Sequence, residues 1–567
     1  MQLRWVVKQA DEEKINALQQ QLKVHPVLCR LLVQRGIETY EEAKKFFRPE
    51  LTDLHDPFLM KDMDKAVNRV IEAISKGEKI LIYGDYDVDG TTAIATVYQF
   101  FKEFYPNLDY YVPHRYAEGY GISFKGIDYA AENGFSLIIA LDCGIKANDK
   151  VDYANERNID FIICDHHNPG EEIPKAVAVL DPKRADCNYP YKELSGCGVG
   201  FKLIQAFCIQ NGMPLENCYR FLDLVCVSIG ADIVPITGEN RVLAFHGLKK
   251  VNEDPSPGLR RLAEVSGKEG KMDITNVVFI LAPRINAAGR MDDAKHAVRL
   301  LVSDEADLEN ELHAEQLNKF NTDRKDLDKN ITASALDMIA RDATSVTRKS
   351  TVVYSPDWHK GVIGIVASRL TETYYRPTIV LTESDGKVAG SARSVKNFDL
   401  YEAIYECRDL LIQFGGHKFA AGLTMHAENI EAFSKKFDAV VSERITPEQL
   451  IPELEIDAEL ELEDITPRFF SIIEQMSPFG PENMKPVFVT RGVKDHGWSK
   501  IVKEEHIKFS VRKGNSPAID GIGFRLAPKF GCVKTGAFDI VYQIDENEWQ
   551  GNVRLQIMVK DVRSSNP

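Results

Sequence analysis

With 567 residues the chain is far too long for one hydrophobic core, so three or four domains are expected. Apolar residues at 44% and charged ones at 27% describe an ordinary soluble globular protein, and no membrane span or signal peptide is expected. The formal net charge of −15 argues against a protein coated in nucleic acid, while leaving room for a local basic channel.

In chain order, residues 1–75 read as short helices. His25-Pro26 opens one that Gly36 closes, and Thr39 caps Tyr40 to Phe47, with Glu41 and Glu42 where the helix dipole favours acids. Asp62 to Lys76 is spaced as an amphipathic helix and leads into an α/β region over residues 76–300.

There, Ile80 to Gly84 is a short apolar run that stops on Asp85-Tyr86-Asp87-Val88-Asp89-Gly90. Such runs read as buried strands, and ligand sites in open α/β sheets lie beyond their carboxyl ends. Taken alone, the three acids fit a solvated turn as well as a metal site, where a cation would offset their mutual repulsion. The pattern recurs. Ser136 to Leu141 runs into Asp142-Cys143-Gly144, Phe161 to Cys164 into Asp165-His166-His167, Val177 to Leu180 into Asp181-Pro182, and Leu224 to Ile229 into Gly230-Ala231-Asp232. Stretches of helical length lie between, such as Asn148 to Asn158. This alternation predicts a parallel sheet whose strand ends share one edge, so that these groups converge on a rim. Helix capping would account for Asp142 or Asp181 singly, but not for His166-His167, since His is a poor cap and a natural metal ligand. Hard oxygen ligands select Mg²⁺ or Mn²⁺, and a pair of ions bridged by a carboxylate suits the inventory best. Asp142, on a middle strand, is the expected bridge. Three carboxylates at one strand end cannot all reach the same ion, so Asp89 is expected to support the site indirectly. The ten cysteines, some inside apolar runs (Cys164, Cys226), form no CxxC pair and read as buried thiols of a cytoplasmic protein.

Residues 301–345 read as a long charged connecting helix, with Leu308, Leu312, Leu317, Phe320, Leu327, Ile331 and Met338 near helical spacing. A smaller α/β domain over 346–445 has strands at Thr351 to Tyr354 and Thr378 to Leu381 and a helix from Gly361 to Tyr374. Over 446–567, alternation in His506 to Val511, Phe538 to Ile544 and Val553 to Val559 predicts an antiparallel β-barrel of the oligonucleotide-binding (OB) type.

Outside the rim, Arg115 has the chemistry to clamp a phosphate and Tyr120 to stack on a base, although a surface loop accounts for Tyr120 equally well. Arg284, Asn286 and Arg290 flank small residues that permit close approach of a phosphate chain. Ser391 and Arg393, with Gly390, form a candidate anion pocket after the strand-like Lys387 to Ala389. Gly415-Gly416-His417 reads as a phosphate-binding turn opening a helix, or simply as a tight connection. His359 fits a structural role as well as a functional one.

The acidic and histidine motifs resemble those of the DHH phosphoesterase superfamily. Joined by Leu54-His55-Asp56-Pro57-Phe58, Arg284 to Met291, Gly390 to Ser394 and Gly415-Gly416-His417, in that order along the chain from about residue 20, they resemble the RecJ family of bacterial single-stranded-DNA exonucleases. The resemblance implies a DHH domain, the connecting helix, a DHH-associated domain and an OB-like barrel. It also implies 5′→3′ hydrolysis of single-stranded DNA to 5′-mononucleotides with two Mn²⁺ or Mg²⁺ ions, in DNA repair and recombination. Asp85, Asp87, Asp89, Asp142, His166, His167 and Asp232 match the metal-site motifs, and Asp142, His166 and His167 are the expected catalytic groups. Arg115, Arg284, Ser391 and Arg393 match positions that grip the DNA backbone and its 5′ end; Tyr120, Asn286, Arg290, Gly415, Gly416 and His417 complete the expected substrate set. Tyr83 stands where such enzymes commonly carry a His, which removes one expected ligand. A monomer is expected, with a 5′-ended single strand as substrate and a single-strand-binding protein and a helicase as partners. The alternatives are a DHH phosphoesterase of short oligonucleotides or cyclic dinucleotides, and a non-catalytic scaffold; intact acidic and His motifs count against the scaffold.

Overall fold

The computed structural model describes residues 3–304, 309–549 and 552–565. Two compact units make it up: one holds Val6–Gly289, Asp293–Leu317 and the chain from Glu455 onward, and the other holds the chain up to Trp5, Arg290–Asp292 and Asn318–Leu454. No helix among the described residues is long and apolar enough to cross a membrane.

The first unit begins with α1 (Glu12–Leu22), α2 (Pro26–Val33) and α3 (Tyr40–Phe47). Thr39 and Glu42 close a capping box on α3, as the acids of its first turn suggest. A four-residue strand, Arg4–Val7, precedes them and was not legible in the sequence. After α4 (Met63–Lys76) comes a sheet of β1 (Lys79–Gly84), β2 (Leu108–Tyr111), β3 (Phe135–Leu141), β4 (Asp160–Cys164) and β5 (Ala178–Leu180). Every pairing is parallel and the spatial order is β2-β1-β3-β4-β5, so all carboxyl ends face one edge. Ile80 to Tyr83 and Leu137 to Leu141 are fully buried, which explains apolar runs without alternation. The crossovers include α5 (Val88–Lys102), α6 (Phe124–Glu132) and α7 (Asn148–Asn155).

Beyond the sheet the chain turns helical, with α8 (Gly196–Gln210), α9 (Leu222–Ala231), α10 (Gly238–Glu253) and α11 (Ala282–Met291). This corrects the sequence reading, in which Leu224 to Ile229 was a strand. Leu222 to Gly230 is buried on every side, and an all-apolar run reads alike for a buried strand and a buried helix.

In the second unit, most of α12 (Asn310–Arg341) leads to the sheet β6 (Thr351–Tyr354), β7 (Thr378–Ser384), β8 (Lys387–Arg393), β9 (Gln413–His417) and β10 (Ala420–Met425), with α13 (Ile363–Tyr374) after β6. Its order is β9-β10-β8-β7-β6. The buried positions of α12 include Ala314, Leu317, Ile331, Ala335 and Ile339, whereas Leu312 and Met338 are exposed. Alanines take the tight approaches that a Leu-based reading overlooks, and Leu308 lies outside the described residues.

The C-terminal part returns to the first unit. Strands β11 (Ala458–Glu459), β12 (Phe488–Asp495), β13 (Lys500–Val502), β14 (His506–Arg512), β15 (Ile519–Gly523), β16 (Phe538–Trp549) and β17 (Asn552–Ser564) run in the order β11-β12-β16-β17-β15-β14-β13. A further β12–β14 pairing closes the barrel. The pairs β11–β12 and β15–β17 are parallel and the others antiparallel. One apolar cluster joins Ile15, Leu18 and Leu32 of the N-terminal helices to Phe470, Phe488 and Tyr542 of the barrel part. The first helices are therefore a buttress of the barrel.

Candidate metal centre and substrate site

Three strand ends and one helix end build the rim. Asp85 follows β1, is fully buried, and accepts a hydrogen bond at Oδ1 from the Gly121 N–H at 3.0 Å. Asp87 caps α5 by accepting from the Gly90 N–H at 3.0 Å. Asp89, in the first turn of α5, accepts at Oδ1 from the Cys197 N–H (2.7 Å) and the Ser228 hydroxyl (2.6 Å) and at Oδ2 from the Gly196 N–H (2.7 Å). The N-terminus of α8 thus holds this carboxylate in place. Asp142 leaves β3 with φ +57°, a left-handed conformation that Asp tolerates better than most residues. Two glycines permit the crowding. A Cβ on Gly90 would lie 2.3 Å from the Asp85 carbonyl oxygen, and one on Gly196 would lie 2.5 Å from the Asp142 Cβ.

Asp165 positions the two histidines. Its Oδ1 accepts from the His166 N–H at 2.7 Å and the His167 N–H at 3.1 Å and lies 2.7 Å from His167 Nδ1, while Oδ2 takes the Ile145 N–H at 2.9 Å. Burial raises the Asp165 carboxyl, but these bonds and the His167 charge outweigh it and hold the group at about 2. Burial conversely lowers His167, which Asp165 lifts to about 9. With Nδ1 fixed by Asp165, the His167 Nε2 faces the Tyr120 hydroxyl at 3.0 Å. The His166 Nε2 lies 3.2 Å from Asp142 Oδ1, 3.5 Å from Asp232 Oδ2 and 3.8 Å from Asp89 Oδ2.

Burial, followed by the charges of Asp89, Asp87 and Asp232, holds Asp142 well above the usual carboxylate range. Asp85 is raised by burial and by Asp87, and Asp87 by burial and by Asp89. Burial and then Asp89 and Asp87 push Asp232 to about 8. These acids cannot all ionise without added positive charge. Asp142 Oδ1, Asp85 Oδ2 and both ring nitrogens of His166 are buried with no hydrogen-bond partner, which fits them as metal-ligand atoms. Two sets have ligand atoms all within 4.8 Å of one another: Asp142, His166 and His167, and Asp89, His166 and Asp232. The donors fit a pair of oxygen-preferring divalent ions. The placement runs against an indirect role for Asp89, whose Oδ2 faces the His166 nitrogen at 3.8 Å.

Residues 79–229 match the DHH family N-terminal domain, 348–443 the DHHA1 domain and 456–561 the RecJ OB domain. The single-stranded-DNA-specific exonuclease RecJ of Bacillus subtilis (strain 168) is 38% identical over 99% of this chain and 71% of its own length. The chain belongs to the RecJ family. The Escherichia coli (strain K12) RecJ is 31% identical over 95% of this chain and 96% of its own. The crystal structure of Thermus thermophilus RecJ in complex with Mn²⁺ matches with a TM-score of 0.85 at 26% identity, covering 100% of this chain and 80% of that one. A RecJ fold of parallel-sheet DHH domain, DHHA1 domain and C-terminal OB barrel therefore accounts for the whole arrangement.

The expected RecJ substrate residues fall in both units. In the first, Arg115 stacks its guanidinium on the Tyr86 ring at 4.0 Å, leaving Nε buried and unbonded. Tyr86 in turn meets Tyr120 edge to face at 6.0 Å. Arg284 is largely buried and donates from Nη1 to the Ile280 carbonyl at 2.6 Å. The Asn286 Oδ1 is buried without a partner.

In the second unit, Arg393 donates from Nη1 to Ser391 Oγ (3.1 Å) and from Nε to Ser368 Oγ (3.2 Å), and burial lowers its pKa. Gly364, in the first turn of α13, brings backbone so close that a Cβ there would lie 3.0 Å from Ser391 Oγ and 3.1 Å from Arg393 Nη2. A helix N-terminus, a hydroxyl and a guanidinium face one another, as an anion pocket requires. Arg290 donates to the Gly361 carbonyl at 3.0 Å, just ahead of that helix.

Gly415, Gly416 and His417 lie in β9, an exposed strand paired with β10, so the expected helix start is absent. The two-residue turn between β9 and β10 suits a hairpin, and no helix dipole is available there. The His55 backbone ties this segment to the core: its carbonyl accepts from the buried Lys202 Nζ at 2.7 Å and its N–H donates to Glu239 at 2.9 Å. Sequence reasoning missed Tyr86, Ser228 and the Gly196-Cys197 cradle. Spaced glycines at 196, 198 and 200 were the available signal for the cradle.

Proposed function

We propose that the chain is a metal-dependent exonuclease that degrades single-stranded DNA from its 5′ end to 5′-mononucleotides, in DNA repair and recombination. The observation that carries the reading is His166, its Nε2 unbonded and enclosed by Asp89, Asp142 and Asp232, in a family whose named members act on single-stranded DNA. Asp89, His166 and Asp232 would hold one ion, and Asp142 with His166 and His167 would hold a second. Two divalent ions held there supply charge neutralisation for the phosphodiester transition state and acidify the attacking water. Asp165 keeps both histidines oriented, and His167, next to the Tyr120 hydroxyl, is placed to touch the scissile phosphate or the leaving oxygen. Arg115, held flat on Tyr86, presents positive charge to a phosphate. Ser391 and Arg393 would take the terminal phosphate and so give the digestion its direction.

The enzyme would act as a cytoplasmic monomer, supplied with strand by a helicase and a single-strand-binding protein. Mn²⁺-dependent release of mononucleotides from a long single strand, compared with cleavage of a dinucleotide, tests the reading. Rapid cleavage of the dinucleotide alone would instead favour a phosphoesterase of short substrates.

A further inference from the structure

Arg115 and Tyr120 both sit on the crossover from β2 to α6, and one side chain of that crossover, Glu118, ties it together. The Glu118 Oε1 accepts from the His114 N–H at 2.9 Å. Its Oε2 accepts from the Tyr111 hydroxyl at 2.9 Å and the Ser123 hydroxyl at 2.6 Å. The Glu118 N–H in turn donates to the His114 carbonyl at 2.9 Å. One carboxylate thus joins the end of β2, the middle of the crossover and the cap of α6, where Ser123 Oγ accepts from the Gly126 N–H at 2.9 Å. A carboxylate only accepts and has lone pairs for all three donors, whereas an amide would turn a donor of its own toward one of them.

Tyr83 anchors the far end of the same crossover. Tyr83 of β1 and Tyr111 of β2 are register partners with rings stacked at 5.3 Å, which brings both hydroxyls to the crossover. Gly126 makes room for the ring, since a Cβ there would lie 2.5 Å from Tyr83 Cε2. The fully buried Tyr83 hydroxyl donates to the Gly121 carbonyl at 3.0 Å and accepts from the Ser123 N–H at 3.1 Å. The N–H of that same Gly121 holds Asp85. Between these anchors the crossover carries two groups that meet the rim. Arg115 lies on the ring of Tyr86, next to Asp85, and the Tyr120 hydroxyl stands 3.0 Å from His167 Nε2.

We infer that Glu118 is a positioning residue for hydrolysis, acting through Arg115 and Tyr120, which it holds in place against the rim. The inference rests on the exonuclease reading above. Without the carboxylate, the His114 N–H and two hydroxyls lose their common acceptor, and the chain between His114 and Tyr120 loses its inner tie. A shift of about 1 Å in groups that place a substrate costs on the order of 100-fold in rate.

The test is a double-mutant cycle on the full chain with Mn²⁺ and a long 5′-phosphorylated single strand, with enzyme in excess so that slow variants are measured. Glu118→Gln keeps the side chain's size, so its melting temperature should stay within about 4 °C of the parent. Its single-turnover rate should nevertheless fall about 10- to 100-fold. In a chain already carrying Arg115→Ala and Tyr120→Phe, the same substitution should change the rate by less than about twofold, because the groups it acts through are gone. Equal losses in both backgrounds, the result of a role in folding alone, overturn the inference, as does an unchanged rate in the parent background. If Glu118→Gln does not fold, Tyr111→Phe removes one of the three bonds and enters the same cycle, with a loss of about fivefold expected in the parent background only. A parent chain inactive on the strand would overturn the exonuclease reading, and this inference with it.

Discussion

At Asp142 a left-handed backbone, burial and three neighbouring acids meet on one carboxylate. Such a group stabilises nothing in the absence of a cation. Asp142→Ala should therefore leave the metal-free protein at least as stable as the parent, while hydrolysis with Mn²⁺ falls below about 10⁻³ of the parent rate. Thermal unfolding beside a nuclease assay checks both halves, and full activity would remove Asp142 from the centre. Gly90 gives the complementary case. Ala there would drive its Cβ into the Asp85 backbone, moving β1 against α5, so Gly90→Ala should abolish Mn²⁺ binding by calorimetry although no ligand is lost. At this scale the sequence was most legible where chemistry repeats: acids and imidazoles ending apolar runs were found without coordinates. Which of Asp85 and Asp89 faces His166 was not, because that depends on the Gly196-Cys197 N–H pair, more than a hundred residues from the acid it holds.

Among the elements, α9 shows the limit of periodicity. Its apolar run is buried all round, so nothing in the pattern separates helix from strand, yet Asp232 still arrives at the rim from the helix end. The β9–β10 hairpin shows the converse, for glycines that read as a helix-start turn are ladder partners, Gly415 opposite Gly422. The anion pocket of the second unit was legible as Ser391 and Arg393, but its third wall, the start of α13 at Gly364, was not, because only the fold brings it to β8. Ser391→Ala and Arg393→Ala should lower kcat/KM on 5′-phosphorylated strands by about 10- to 100-fold and on 5′-hydroxyl strands by much less. Competition between the two ends in one reaction measures the ratio, and equal losses would count against terminal-phosphate binding.

Over the whole molecule, the succession of helices, parallel sheet, long helix, second sheet and barrel followed from composition and pattern. The joining of the N-terminal helices to the barrel did not, since their apolar faces reveal burial but not the partner. Arg241 sits at that joint, buried, donating to the carbonyls of Phe46, Met476, Ser477 and Pro478 and lowered to about 9 by burial and by Arg35. Arg241→Met removes all four of these bonds, although Asn483 still donates to the Met476 and Pro478 carbonyls, and denaturant unfolding should show a loss of about 3 kcal/mol. The central claim is that a two-cation rim degrades single-stranded DNA from the 5′ end. Its most direct test is digestion of one long strand, labelled in separate samples at the 5′ or the 3′ end, with Mn²⁺ and with chelator. Labelled mononucleotide should appear at once from the 5′-labelled strand, late from the 3′-labelled strand, and not at all with chelator. Early release from the 3′ end, or release that chelator does not stop, would contradict the account.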